Sequence, residues 1–127
     1  MVHYPKCKIV VCEYAKHALA SDKLNMSRYR GTPINFLSEN VAVFHEGESM
    51  RLFEGEPEMV FYETLGHNHG CLTMILGDMI FTSDAYISGV RANTRLPRAD
   101  KELAKISLER ILKLTEGKTI LSGHQID

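Results

Sequence analysis

The stretch Glu63–Tyr86, ETLGHNHGCLTMILGDMIFTSDAY, constrains this chain more than any other. It sets a Gly-His pair on a loop, passes through the apolar run Leu72–Leu76, turns at Gly77-Asp78, passes through a second run at Met79–Thr82, and delivers a lone carboxylate at Asp84. Short apolar runs bounded by Gly and Asp predict a hairpin, and the Gly-Asp pair suits its tight turn. Such a hairpin brings groups distant in sequence to one rim. Imidazole and carboxylate on that rim suit a borderline cation such as zinc. A further histidine, His124, stands in a second Gly-His pair.

The rest of the chain supplies a frame for that rim. Lys8–Tyr14, KIVVCEY, predicts a short buried strand, and the helix formers from Ala15 to about Met26 predict a helix that the Arg30-Gly31-Thr32-Pro33 segment must end. Val41–His45, Met50–Glu54 and Glu58–Glu63 are three short runs separated by Glu-Gly-Glu and Gly-Glu-Pro turns, which predicts an antiparallel meander that the hairpin continues. Asp100 is placed to cap a helix. Leu103, Ile106, Leu108, Ile111, Leu112 and Leu114 give that helix an apolar face, Lys101, Lys105, Glu109, Arg110 and Lys113 a polar one, and Gly117 a stop. Thr119–Leu121 is a last strand that leads directly into Ser122-Gly123-His124.

Composition narrows the function classes. Of 127 residues, 44% are hydrophobic and 24% charged, which predicts one globular domain, or part of one, over 1–127. A net charge of −1 lacks the basic footprint that phosphate backbones require, so nucleic acid is not an expected partner. No apolar run approaches the ~20 residues that cross a bilayer, and Met1–Lys8 has none of the regions of a signal peptide; the expected setting is cytoplasmic, away from membranes. Cys7, Cys12 and Cys71 are an odd set without a CxxC pair, which predicts reduced thiols.

A single loop histidine is more often a hydrogen-bonded surface group than a ligand, and an aspartate after a strand more often caps a turn. The ordered set strand-Gly-His, strand-strand-Asp, helix, strand-Gly-His is far more specific. In that order the sequence resembles the metallo-β-lactamase-fold hydrolases, in particular the hydroxyacylglutathione-hydrolase-like members with their Thr-Pro-Gly-His-Thr-Pro-Gly loop. Thr64-Leu65-Gly66-His67-Asn68-His69-Gly70 matches that loop. Cys71-Leu72-Thr73, Ile80-Phe81-Thr82-Ser83-Asp84, the helix Leu103–Leu114 and Ile120-Leu121-Ser122-Gly123-His124 follow in the family's order.

The resemblance implies an α+β fold, part of an αββα sandwich built mainly on one antiparallel or mixed sheet with flanking helices. It implies His67 as a ligand of a first metal, Asp84 as the carboxylate bridging two metals and the catalytic aspartate, and His124 as a ligand of the second. Zinc is the implied cofactor, with iron or manganese as alternatives. The implied reaction on a small-molecule substrate is attack of a metal-held hydroxide on an ester, thioester, lactam or phosphoester.

The departures are as informative. The family's His-x-His-x-Asp-His motif is absent from these 127 residues, and Val2-His3-Tyr4-Pro5 resembles the chain just after it. The expectation is therefore a domain that lacks the first half of its sandwich. The exposed half-core would associate with a second copy or a partner chain. Leu65 and Ser122 replace prolines, Ser83 replaces a glycine, and Gln125 stands where glycine is frequent, each exchange loosening ligand placement. His69 makes a His-x-His spacing with His67 but reads as a loop histidine, Cys71 as a buried thiol, and His3, His17 and His45 as surface or strand residues. Two functions follow: a metal-dependent hydrolase, or a non-catalytic half-domain.

Overall fold

Ile9, Val10 and Val11 are the β-branched centre of the first apolar run, and they alone form the first strand, β1 (Ile9–Val11). The computed structural model describes residues 7–37, 39–90, 94–95 and 98–124. They fall into two units, Met1–Phe44 and His45–Asp127. In the first, helix α1 (Glu13–Leu19) begins two residues before the predicted start and ends well short of Met26. The side chains that follow it explain the early end. Ser21 Oγ accepts from the Leu24 amide, Asn25 Oδ1 from the Ser27 amide, and Asn35 Oδ1 from the Asp22 amide. Ser and Asn side chains of this kind compete with the helical ladder for the same backbone groups. Met26 then turns left-handed at φ +63°, and Ser27–Tyr29 makes a single 3₁₀ turn.

Strand β2 (Val41–Val43) pairs parallel with β1, Ile9 opposite Val41 and Val11 opposite Val43. This corrects the sequence expectation, which put Val41–His45 into an antiparallel meander. A parallel pair needs a long crossover, and the segment from α1 to Asn40 provides one.

The second unit carries a five-stranded sheet. Its elements are β3 (Ser49–Arg51), β4 (Glu58–Glu63), β5 (Leu72–Leu76), β6 (Met79–Ser83), helix α2 (Lys101–Leu114) and β7 (Thr119–Ser122), with strand order β3-β4-β5-β6-β7. Pairing is antiparallel through β6, and β7 lies parallel to β6 because α2 is the crossover between them. The register aligns Val60, Ile75, Ile80 and Ile120 on one face, and Phe61, Met74, Phe81 and Leu121 on the other. Among the described residues the architecture is α+β, with two α-helices and mainly antiparallel or mixed sheet, as the sequence predicts.

Helix α2 meets the sheet on the face of Tyr62, which the register shares with Val60 and Ile80. Arg110 lies over the Tyr62 ring, 5.2 Å from its centroid, and also binds the Glu46 carboxylate, whose Oε2 accepts from the Glu63 amide at 2.7 Å. Ile111 is wholly buried and packs with Cys71 and Ala85, and Tyr86 closes over them. The Asp100 carboxylate caps the helix by accepting from the Glu102 and Leu103 amides, both at 2.9 Å. The buried stripe is narrower than the apolar pattern predicts. Within α2 the buried residues are Ser107 and Ile111, whereas Ile106, Leu108 and Leu112 are exposed.

Candidate functional site

The loop after β4 is held from beneath by α2. Ser107 Oγ donates to the Leu65 carbonyl at 2.6 Å, and the Asp100 amide donates to the Gly66 carbonyl at 2.8 Å. Gly66 has φ +132°, and a Cβ there would overlap the backbone of Ala104. The glycine is therefore fixed by close approach as well as by turning. Asn68 Oδ1 accepts from the Gly70 amide at 2.6 Å, which closes the loop as an Asx turn. Further down, the Thr64 and Thr73 hydroxyls pair at 2.9 Å in a fully buried position.

Asp84 is presented by an irregular strand end. The β6–β7 register shifts between Phe81 and Ser83, and Ser83 takes φ +53°. The Ala85 amide donates to the Thr82 carbonyl at 3.2 Å, and Thr82 Oγ1 donates to the Tyr86 carbonyl at 2.6 Å. These bonds turn the chain sharply just past the sheet. Beyond β7, the Gly123 amide donates to the Ser83 carbonyl at 3.0 Å, and a Cβ on Gly123 would overlap Asp84 Oδ1. Ser122 Oγ donates to the His124 carbonyl at 2.8 Å, a local bond available to a serine in the position where the resembled family has proline.

The three sequence-predicted residues meet here. Asp84 Oδ2 is 3.8 Å from His67 Nε2, and Asp84 Oδ1 is 3.3 Å from His124 Nε2, so each carboxylate oxygen faces a different imidazole. Exposure grades outward, from 15% for the His67 side chain through 35% for Asp84 to 69% for His124. Nδ1 of His67, on the other side of the ring from Asp84, is buried without a hydrogen-bond partner among the described residues, a state that costs about 1–3 kcal/mol.

The donor types suit zinc, iron or manganese; the donor number does not complete a site for any of them. Each half of the arrangement offers one imidazole nitrogen and one carboxylate oxygen, whereas a catalytic zinc takes three protein ligands. Among the described residues, no group of three or more His, Cys, Asp or Glu side chains converges to hold a metal ion.

Other candidates fall elsewhere. Cys71 is buried against Ala85 and Ile111, and His69 is partly buried on the same loop as His67. His17 pairs with Glu13 at 3.2 Å on the exposed side of α1, and His45 is exposed in a turn. Val2-His3-Tyr4-Pro5 and Gln125 lie outside the described residues. Sequence reasoning missed Ser107, the residue of α2 that holds the Leu65 carbonyl. A serine inside an apolar helix face carries no local signal of a bond made 42 positions away.

No protein-family model matches the sequence, and no relative with curated annotation does. Solved structures do. The protein TTHA1623, solved in a di-iron-bound form, is 23% identical with a TM-score of 0.74 over 98% of this chain and 61% of its own. ST1585 from Sulfolobus tokodaii, an archaeal metallo-β-lactamase superfamily protein, is 23% identical with a TM-score of 0.73 over 97% of this chain and 54% of its own. The BLEG-1 B3 metallo-β-lactamase is 22% identical with a TM-score of 0.79 over 94% of this chain and 58% of its own. These likenesses show the metallo-β-lactamase fold. The chain spans between 54% and 61% of the length of these three structures.

Proposed function

We propose that this chain supplies part of the metal centre of a metal-dependent hydrolase with the metallo-β-lactamase fold. The observation that carries the reading is the Asp84 carboxylate standing between His67 and His124 with one oxygen toward each. In this reading His67 holds one metal, His124 the other, and Asp84 bridges them, as the sequence resemblance implies. The remaining donors come from outside the described residues. Zinc, iron or manganese would fill the centre, and the substrate would be an ester, thioester, lactam or phosphoester, the classes that the sequence resemblance implies.

The test is elemental analysis of the purified chain equilibrated with each of the three metals, alongside turnover of a generic aryl ester. Bound metal is expected, with affinity falling about tenfold or more in Asp84→Asn and in His67→Ala; ester turnover that His67→Ala removes would extend the reading to catalysis by this chain. A folded chain that binds none of the three metals would overturn the reading.

A second reading has its own observation. Two donors per metal position, together with a sheet face on which Phe61 is buried but Met74 and Phe81 are only partly buried and Leu121 is exposed, favour a non-catalytic half-domain that self-associates.

A further inference from the structure

An open groove of about 1000 Å³ runs between the loop that follows Asp84 and the first two turns of α2. One wall is the segment Ala85–Val90, tied down by the Thr82 bond to the Tyr86 carbonyl and by the Val90 amide donating to the Ile87 carbonyl at 3.0 Å. The other wall is a single helical stripe. Lys101, Ala104, Lys105 and Leu108 recur at i, i+3, i+4 and i+7, which puts all four on one side of α2. This stripe borders the side that buries Ser107 and Ile111, and Ala104 lies at the boundary, under Gly66.

The charge of the groove is one-sided. Among the described residues its lining includes Lys101, Lys105 and Arg95 and no aspartate or glutamate. That excess stands out in a chain whose net charge is −1. Between the cations lie apolar groups that face solvent: Leu108 is 38% and Val90 50% exposed. Cations flanking exposed apolar side chains are complementary to a small molecule with an anionic group on an apolar body. Residues of both walls are also neighbours of the candidate site. Ala85 and Tyr86 directly follow Asp84 in sequence, and Ala104 is the residue on which Gly66, next to His67, rests.

We propose that this groove binds an amphipathic anion, a carboxylate or phosphate carried on an acyl or similar apolar body, with Lys101 and Lys105 receiving the charge and Leu108 and Val90 the apolar part. That this ligand is the substrate rests on the hydrolase reading above; that the groove binds such an anion does not.

The test uses octanoate and octanol as probes against the isotopically labelled full chain, followed by amide NMR in the presence of a chelator so that no metal contributes. Octanoate is expected to shift amides of 85–90 and 101–108 and to bind about tenfold more tightly than octanol. In the double variant Lys101→Gln/Lys105→Gln, octanoate affinity should fall about tenfold while octanol affinity stays within about twofold. Both lysines are exposed, and unchanged circular dichroism would show that the double variant folds. Equal affinity for the two probes, octanoate shifts confined to other segments, no octanoate binding, or an unaltered octanoate affinity in the double variant would each overturn the proposal. Octyl phosphate binding as tightly as octanoate would support it in its phosphate form. Loss of metal binding with octanoate binding intact would remove the hydrolase reading and leave the groove. Metal binding without octanoate binding would do the reverse.

Discussion

Ser83 holds a conformation that its side chain disfavours. At φ +53° a residue with a Cβ costs about 1–2 kcal/mol relative to ordinary backbone, and the resembled family has glycine at this position. Glycine gains freedom in the unfolded chain as well, which offsets part of the benefit. Ser83→Gly is therefore expected to raise the unfolding free energy by about 0.5–1 kcal/mol, seen as a higher urea midpoint with an unchanged slope. An equal or lower midpoint would mean that this turn carries no net strain. The two Gly-His glycines do more than turn the chain. Gly66 is also required by the backbone of Ala104, and Gly123 by the carboxylate of Asp84. Both requirements are contacts across the fold, and no pattern in the neighbouring residues records them.

At the scale of elements, the hairpin and α2 were legible because their signals are local. Gly77 takes φ +58° in the predicted turn between β5 and β6, and Asp100 caps the predicted helix. The hairpin of β3 and β4 owes part of its stability to one surface carboxylate. Glu58 accepts from Ser49 Oγ at 2.6 Å and faces Arg51 at 3.4 Å, and the Ser49 hydroxyl first and then Arg51 hold its carboxyl below the usual range. A carboxyl with a lowered folded pKa stabilises fully above its unfolded pKa and loses that contribution as pH falls through the folded one. Glu58→Gln should thus lower the urea midpoint at about pH 6 and leave it matching the parent at about pH 3. A difference that persists in acid would show that the charge of Glu58 is not its source. What sequence pattern misjudged among the elements was length and partner. Ser21 and Asn25 divert the backbone after Leu19, and β2 finds β1 in place of β3.

At the scale of the molecule, exposed apolar groups remain on several elements of the second unit. Ile106, Leu108 and Leu112 on α2, Leu121 on β7, and Leu52 and Phe53 beyond β3 are all exposed. If the half-domain reading holds, these surfaces associate. Light scattering across a concentration series should then give a mass approaching twice that of the chain, and a clean monomer at high concentration would sink that reading. The described helices include none long and apolar enough to cross a membrane. By itself the sequence determined the order of strands and helices from β3 onward, the cap of α2, and the identity of His67, Asp84 and His124 as candidates, because periodicity, turn chemistry and motif order are written in neighbouring residues. Only the tertiary structure decided that Asp84 lies between the two imidazoles, that Ser107 and Ala104 hold the His67 loop, and that Lys101 and Lys105 line a groove beside it. Those relations depend on parallel pairing of β6 with β7 and on which side of α2 meets the sheet, and both are set by packing between segments far apart in the chain.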